Sequence, residues 1–458
     1  VRPERRSWAD QATRVVLVAG FLFMLGASLP GHMSFDSIAQ LHEGRFHVRE
    51  TWAPAMYAWI LGFFDRFVPG TGLYVTASAA LLLAALLALR GLRPRVSRAA
   101  PLVAFAFVAS PLYLIYQGIV WKDVLLANLV VAAFVCLAYA AEGWPDRRNR
   151  VLPVALAALM LAVGALIRQN GLVFAPVAAL VLGWSARSIG WRRASVLALG
   201  FLVAVLVLVK VLGWAVEPKV GGPDEAIDRG VRIVQQYDIV GAVAHNPDLP
   251  LGRLAAATPR VDQIVRDTVK VYSPQRVDTF ATYPKSQEMW LAPDQAITAQ
   301  WLEIIVHHPF DYLAHRLDVF RWLVMPPIQE MCLPAHVGVF GPADRAAALH
   351  LVQEEEPRDR QLANYATWFY YTPVLSHLAY ILVALGVLGA VMARRDAADY
   401  VVAALMAGAL IFTATFFIIS LACDYRYLYA LDLSGMAGLL YVAVDPPLRW
   451  RGLRRPGR

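Results

Sequence analysis

The sequence predicts an all-α, polytopic membrane protein: a bundle of about ten transmembrane helices with external interfacial helices and a small external domain. Three observations predict it. Of 458 residues, 58% are hydrophobic and only 17% charged, with a mean hydropathy of +0.50, whereas an ordinary soluble domain carries roughly 25% charged residues. Apolar runs of about the length a bilayer requires recur along the chain. Arginine-rich segments fall between alternate runs, the pattern that a positive-inside orientation leaves in a sequence.

Taken in order, a basic tail with Arg2, Arg5, Arg6 and Arg14 precedes the run 15–30. No small-residue cleavage site follows it in a convincing position, so the run reads as an uncleaved first span. Further runs lie near residues 71–90, 100–117, 123–141, 151–168, 171–186, 195–214, 370–392, 398–421 and 428–444. Several are at the short end for a span.

The arginine clusters are 90–98, 147–150, 187–193, 394–395 and the tail from Arg449 to Arg458. Orientation by these clusters places them and both termini in the cytoplasm. The segments 31–70 and 215–369 and the turns around Trp121, Arg168 and Asp424 are then external. The segment from Phe310 to Pro327 contains Asp311, Arg316, Asp318 and Arg321, which are costly at bilayer depth. Counting it as a span would also break the alternation, so an interfacial or soluble helix is expected there.

The chain therefore divides into an N-terminal transmembrane module over 1–214, an external domain or long loop over 215–369, and C-terminal spans with a basic tail over 370–458. The external segment carries Pro218, Pro223, Pro247, Pro250 and Pro259, and an amphipathic pattern at Ile297, Trp301, Ile304 and Ile305. A small helical domain is expected from it, with a loosely structured loop as the alternative. The net charge of +8 is explained by topology and calls for no nucleic acid. Cys136, Cys332 and Cys423 are too few and too scattered for a disulfide framework or a thiolate metal site, so apolar packing is expected of them.

The stretch from Gly31 to Phe46 follows the first span directly, yet carries two carboxylates, two imidazoles and an arginine. Read as a helix capped by Ser34, it places Phe35, Ile38 and Leu41 on one side and Asp36, Gln40 and Glu43 on the other. The apolar side is expected to rest in lipid and the acidic side to face what lies above the membrane. The plain alternative is an interfacial anchor whose carboxylates meet only solvent.

Other polar groups fall at the same external level: Lys122 and Asp123, Arg168 with Gln169 and Asn170, and Asp424 with Arg426 and Tyr427. Each has a plain reading as well. Trp121-Lys122-Asp123 suits an aromatic belt with a snorkelling lysine, Arg168-Gln169-Asn170-Gly171 a polar turn, and Asp424 to Tyr429 an interfacial aromatic girdle. Their convergence on one layer, with almost no ionisable residue at mid-membrane, points to a reaction or binding event at that surface.

The first-loop acid, Trp121-Lys122-Asp123, Arg168-Gln169-Asn170-Gly171 and Arg426-Tyr427-Leu428-Tyr429 together resemble the bacterial GT-C glycosyltransferases. These are relatives of the protein O-mannosyltransferases and the lipid A aminoarabinose transferases. The resemblance covers roughly residues 15–215 and 365–445. Where many members carry His-Pro-Pro, this chain reads Thr51-Trp52-Ala53-Pro54, and Asp36 is followed by Ser37 rather than a second acid.

The resemblance implies a polyprenyl-phosphate sugar donor, an envelope glycan or glycolipid acceptor, contact with the lipid bilayer, and a site on the periplasmic face of a bacterial inner membrane. It implies Asp36 as the base that takes the acceptor proton, and Arg168, Lys122 and Arg426 as ligands of the departing phosphate. Asp123 could orient a sugar hydroxyl or hold a divalent cation, Mg or Mn. Glu43, Gln40, Asn170, Asp424 and Tyr427 are further substrate-binding candidates. His42, His47, His307, His308 and His315 form no zinc spacing. Two other classes fit parts of the pattern: a transporter or flippase of lipid-linked sugar, which would place its polar site near mid-membrane on repeated halves, and an O-antigen polymerase or ligase.

Overall fold

The computed structural model describes residues 7–51, 54–142, 150–217, 224–258, 260–289 and 292–446. Trp52, Ala53, Pro218, Pro223, Pro259, Arg147, Arg148, the tail from Arg449, and Arg2, Arg5 and Arg6 lie outside them. Among the described residues the regular structure is helical, with only isolated β-bridges besides.

In chain order the first ten helices are α1 (Trp8–Ser28), α2 (Phe35–Phe46), α3 (Ala55–Asp65), α4 (Gly72–Gly91), α5 (Ala100–Ala109), α6 (Pro111–Leu114), α7 (Lys122–Glu142), α8 (Val151–Ile167), α9 (Phe174–Ser185) and α10 (Trp191–Ala215). There follow α11 (Asp224–His245), α12 (Gly252–Ala257), α13 (Val261–Thr268), α14 (Asp278–Ala281), α15 (Pro284–Met289), α16 (Asp294–His307), α17 (Pro309–Val324), α18 (Ala343–Ala348) and α19 (Pro357–Thr367). The chain closes with α20 (His377–Arg394), α21 (Ala397–Ile419) and α22 (Tyr429–Val444).

Among the described residues, seven segments are long and apolar enough to cross a membrane: α1, α4, α7, α10, α20, α21 and Tyr425–Val444. The run 100–118 makes an eighth if counted as one span bent by 61°. The bend falls where Ser110 caps α6 and Pro111 opens it, since proline cannot donate into the preceding turn. The remaining two apolar runs form α8 and the shorter pair Gln169–Val173 and α9. At 17 residues α8 is about 25 Å long, the lower limit for a span.

Helices α7 and Tyr425–Val444 are the centre of the bundle, with 89% and 83% of their apolar windows buried, whereas α10 exposes most of its surface. A helix apolar on every side belongs either inside protein or against lipid, and these take the two options. Inside the bundle, Asn128 donates to Ser78 Oγ at 3.0 Å and to Gln117 Oε1 at 2.9 Å, and Gln117 donates to Tyr429 OH at 2.9 Å. This buried network ties α4, α7 and α22 together just beneath the polar end, each member satisfied by another.

The two ends of the bundle differ. At one end Arg93 bonds Asp396 at 2.9 Å, Arg394 bonds Asp399, and Arg90 pairs with Asp10, so the arginine clusters near 90 and 394 sit together. The opposite end carries α2, α3 and the helices from α11 to α19.

Here one expectation is corrected. Ile38 and Leu41 of α2 do not rest in lipid; they are fully buried with Met56, Tyr57, Leu61, Val120 and Leu349. The cause is α3, which crosses α2 at two glycines. A Cβ on Gly44 would meet Ala58 O at 2.0 Å, and one on Gly62 would meet Gly44 O at 2.3 Å, so only paired glycines permit this approach. Arg45 clamps the crossing with a two-point bond to Asp65 at 2.7 and 2.6 Å.

The cysteines are a second correction. Cys332 and Cys423 form a disulfide across 91 residues, and only Cys136 is free. Helices α11, α12, α13, α15 and α16 build a separate apolar core around Ile239, Val243, Leu254, Val265, Met289 and Ile304. Helix α17 packs on α11 and reaches α21 through Phe320 on Phe417 at 5.7 Å. Its Arg316 is fully buried, bonding Asp238 at 2.6 Å and donating to Ser420 O at 2.8 Å.

Candidate active site

Asp36 occupies the first turn of α2, where Ser34 and Ser37 form a reciprocal capping box, so an acid there is favoured by the positive end of the helix. Ser37 also donates to Val120 O at 2.6 Å, and Trp121 Nε1 donates to Ser34 Oγ at 2.9 Å. The loop before the helix is stitched down by backbone bonds from His32 N to Gly118 O at 2.8 Å and from Met33 N to Gly338 O at 2.8 Å. Asp36 is thereby fixed against the start of α7.

The guanidinium of Arg426 meets it from the turn Tyr425–Leu428. Arg426 Nη2 lies 2.6 Å from Asp36 Oδ2 and 3.3 Å from Asp424 Oδ2, and Nε is 4.0 Å from Asp123 Oδ2. Its planar group lies 5.0 Å above the Trp121 ring and 5.7 Å from that of Tyr427, a placement that suits arginine and not lysine.

Arg168, at the end of α8, pairs with Asp123 and donates to Asn170 Oδ1 at 3.2 Å. Asn170 in turn donates to Thr415 on α21 at 3.1 Å. Arg168 also lies against Phe416 and Tyr427, at 4.9 and 4.8 Å. Lys122 opens α7 beside Asp123, and its charge acts on Asp36.

The structure thus brings Asp36, Lys122, Asp123, Arg168, Asn170, Asp424, Arg426 and Tyr427 into one cluster at one end of the spans. Gln40 and Glu43 are buried further along α2. Glu43 accepts from Glu50 N at 2.8 Å and Thr51 N at 2.5 Å, so it shapes the loop that follows α2.

Burial alone would raise the Asp36 carboxyl. The charge and hydrogen bond of Arg426, with the charge of Lys122, outweigh burial and hold it below its ordinary value. Asp36 is therefore ionised at neutral pH.

His32, by contrast, is no proton carrier. Burial first, then the charges of His336 and Arg358, lower it to about 3, and its Nδ1 accepts from Gly338 N at 3.1 Å. The neutral ring holds the segment around Gly338 in place.

Asp123 turns its oxygens towards Arg168 and Arg426. Among the described residues no group of three His, Cys, Asp or Glu side chains could hold a metal ion. The surroundings of Asp123 fit guanidinium partners, and a divalent cation there would need lipid-phosphate oxygens and water to complete its shell.

Two participants were not legible in the sequence. Arg276, from the segment before α14, bonds Asp424 Oδ1 at 3.1 Å, and the Cys332–Cys423 bridge ends one residue before Asp424. Neither Arg276 nor Cys332 lies near a span in sequence, so the apolar pattern gave them no place.

Fold and cluster together define the class: a multi-pass helical membrane protein with an acid and guanidinium site at one end of its spans. No family model and no curated protein matches the sequence. Among solved structures, the chain is similar to the oligosaccharyltransferase AglB of Archaeoglobus fulgidus in complex with an inhibitory peptide and a dolichol-phosphate. The two share 14% identity at a TM-score of 0.41, over 96% of this chain and 51% of that one. It is also similar to ArnT of Cupriavidus metallidurans bound to undecaprenyl phosphate, at 12% identity and a TM-score of 0.36, over 94% of this chain and 77% of that one. A third is the arabinosyltransferase EmbB of Mycobacterium smegmatis, at 14% identity and 0.36, over 91% and 42%. The chain spans about half the length of the oligosaccharyltransferase.

Proposed function

We propose that the chain is an integral membrane glycosyltransferase. It moves a monosaccharide from a polyprenyl-phosphate donor to an envelope glycan or glycolipid, with inversion, at the periplasmic face of the bacterial inner membrane. The observation that carries this reading is the meeting of Asp36 with Arg426 and Lys122, beside the Arg168–Asp123 pair, at the ends of the spans. A carboxylate poised as base stands beside cations that suit a lipid phosphate.

In the reaction, the Asp36 carboxylate takes the proton of the acceptor hydroxyl while the hydroxyl oxygen forms a bond to the anomeric carbon. The bond from that carbon to the phosphate oxygen breaks, and the electron pair leaves with the polyprenyl phosphate. The guanidiniums of Arg168 and Arg426 and the Lys122 ammonium stabilise the charge that grows there. Before donor arrives, Arg426 is held by Asp36 and Asp424. A phosphate that takes over Arg426 releases Asp36 from its cation, so donor binding frees the base. The Cys332–Cys423 bridge supports the periplasmic assignment, because disulfides persist in oxidising compartments.

The test is mass spectrometry of envelope glycans and polyprenyl-phosphate sugars from a deletion strain complemented with the intact protein or with Asp36→Asn. One monosaccharide should be missing from a glycan, restored by the intact protein and not by the variant. Full restoration by Asp36→Asn would remove Asp36 as the base.

A further inference from the structure

Between α13 and α14 the chain leaves its own core and pairs with the loop before α22. Val277 N donates to Leu421 O at 2.8 Å and Cys423 N donates to Gln275 O at 2.9 Å, a short antiparallel contact centred on Arg276 and Ala422. The Cys332–Cys423 disulfide closes the same place covalently. Arg276 is caught between: its Nη2 bonds Met331 O at 3.1 Å and Asp424 Oδ1 at 3.1 Å, while Nη1 lies 3.8 Å from Asp278 Oδ2, whose side chain is largely exposed. The other oxygen of Asp424 bonds Arg426 at 3.3 Å, and Arg426 reaches Asp36 at 2.6 Å.

We propose that Arg276 is a positioning residue that acts on Arg426 through Asp424, so that the segment between the two groups of spans tunes the phosphate site. The argument is one of charge. Arg426 faces the carboxylates of Asp36, Asp424 and Asp123, and Arg168 pairs with Asp123. Guanidiniums so engaged have little to offer an anion. By sharing Asp424, Arg276 draws that carboxylate's charge away from Arg426 and leaves its guanidinium attractive to phosphate. The shared carboxylate also fixes the direction in which Arg426 points, while the disulfide and backbone pairing keep Arg276 from drifting away.

This rests on the reading of a lipid-phosphate donor. The experiment uses full-length protein in lipid nanodiscs, with undecaprenyl phosphate as the probe and native mass spectrometry as the readout. Arg276→Gln should weaken binding about tenfold, the effect of one charge-assisted hydrogen bond. Arg276→Lys should keep affinity within about threefold. In an Asp424→Asn background, Arg276→Gln should change nothing further, because the effect passes through Asp424. Equal losses in both backgrounds would mean that Arg276 meets phosphate itself, and unchanged binding would mean that it does nothing; either overturns the assignment. Arg276→Met serves the same cycle if the glutamine variant does not fold. Intact protein that retains no undecaprenyl phosphate overturns the donor reading itself, and this inference with it.

Discussion

Asp36 Oδ2 and Arg426 Nη2 lie 2.6 Å apart although 390 residues separate them in the chain. The contact joins the first turn of α2 to the turn before α22, so it forms only when the bundle closes. It also sets the state of the acid. A half-exposed carboxylate near the membrane surface would tend upward by burial, and Arg426 with Lys122 reverses that tendency. The pair is both a closure of the fold and a resting state of the site.

A pH dependence follows from the same pair. Because the Asp36 value is lowered in the folded protein, the group stays ionised through neutral pH, and on the acid side transfer activity should hold until pH drops through that lowered value. In Arg426→Gln the cation that outweighs burial is gone, so the Asp36 value rises. The acid limb of kcat/KM against pH, measured with the donor that the complementation experiment names, should move to higher pH. An acid limb that stays in place would show that another group is the base.

Arg168→Lys tests whether geometry or charge matters at the end of α8. Lysine keeps the positive charge but cannot lie flat against Phe416 and Tyr427 or bond Asn170 in the same fork. Transfer should slow on the order of a hundredfold, as for loss of one preorganised donor to developing charge, with the size-exclusion profile unchanged. A rate within about twofold of the parent would reduce Arg168 to a simple counter-charge for Asp123.

Much of the architecture was legible because a bilayer imposes a strong code. Apolar runs became helices, the arginines near 90 and 394 collected at one end, and Asp36, Asp123, Arg168 and Arg426 collected at the other. What escaped are contacts between segments far apart in sequence that share no period. Nothing local in α2 announces that α3 will cover Ile38 and Leu41; Gly44 and Gly62 are the signal, and each looks ordinary alone. Glu43 had the spacing of a site residue, yet the loop at residues 50 and 51 takes its carboxylate. Arg276 and Cys332 reach the site from a stretch whose composition carries no membrane signal, and only the folded chain shows that both end beside Asp424.

The disulfide gives the clearest test of that long-range closure. With Cys332 and Cys423 paired and Cys136 free, protein purified without reductant and then denatured should take up one maleimide, and three after reduction. Three before reduction would break the pairing and remove the covalent support beneath Asp424. The Cys332→Ser, Cys423→Ser double variant releases a long loop, which in a chain-entropy account costs about 4–5 kcal/mol of stability. Its unfolding transition in nanodiscs should therefore fall by several degrees. Activity should fall as well, because Cys423 precedes Asp424 directly and Asp424 holds both Arg276 and Arg426. A variant that melts earlier but binds undecaprenyl phosphate as tightly as the parent would mean that the bridge secures the fold alone. In that case the backbone pairing of 275–277 with 421–423 suffices to hold Arg276 over Asp424.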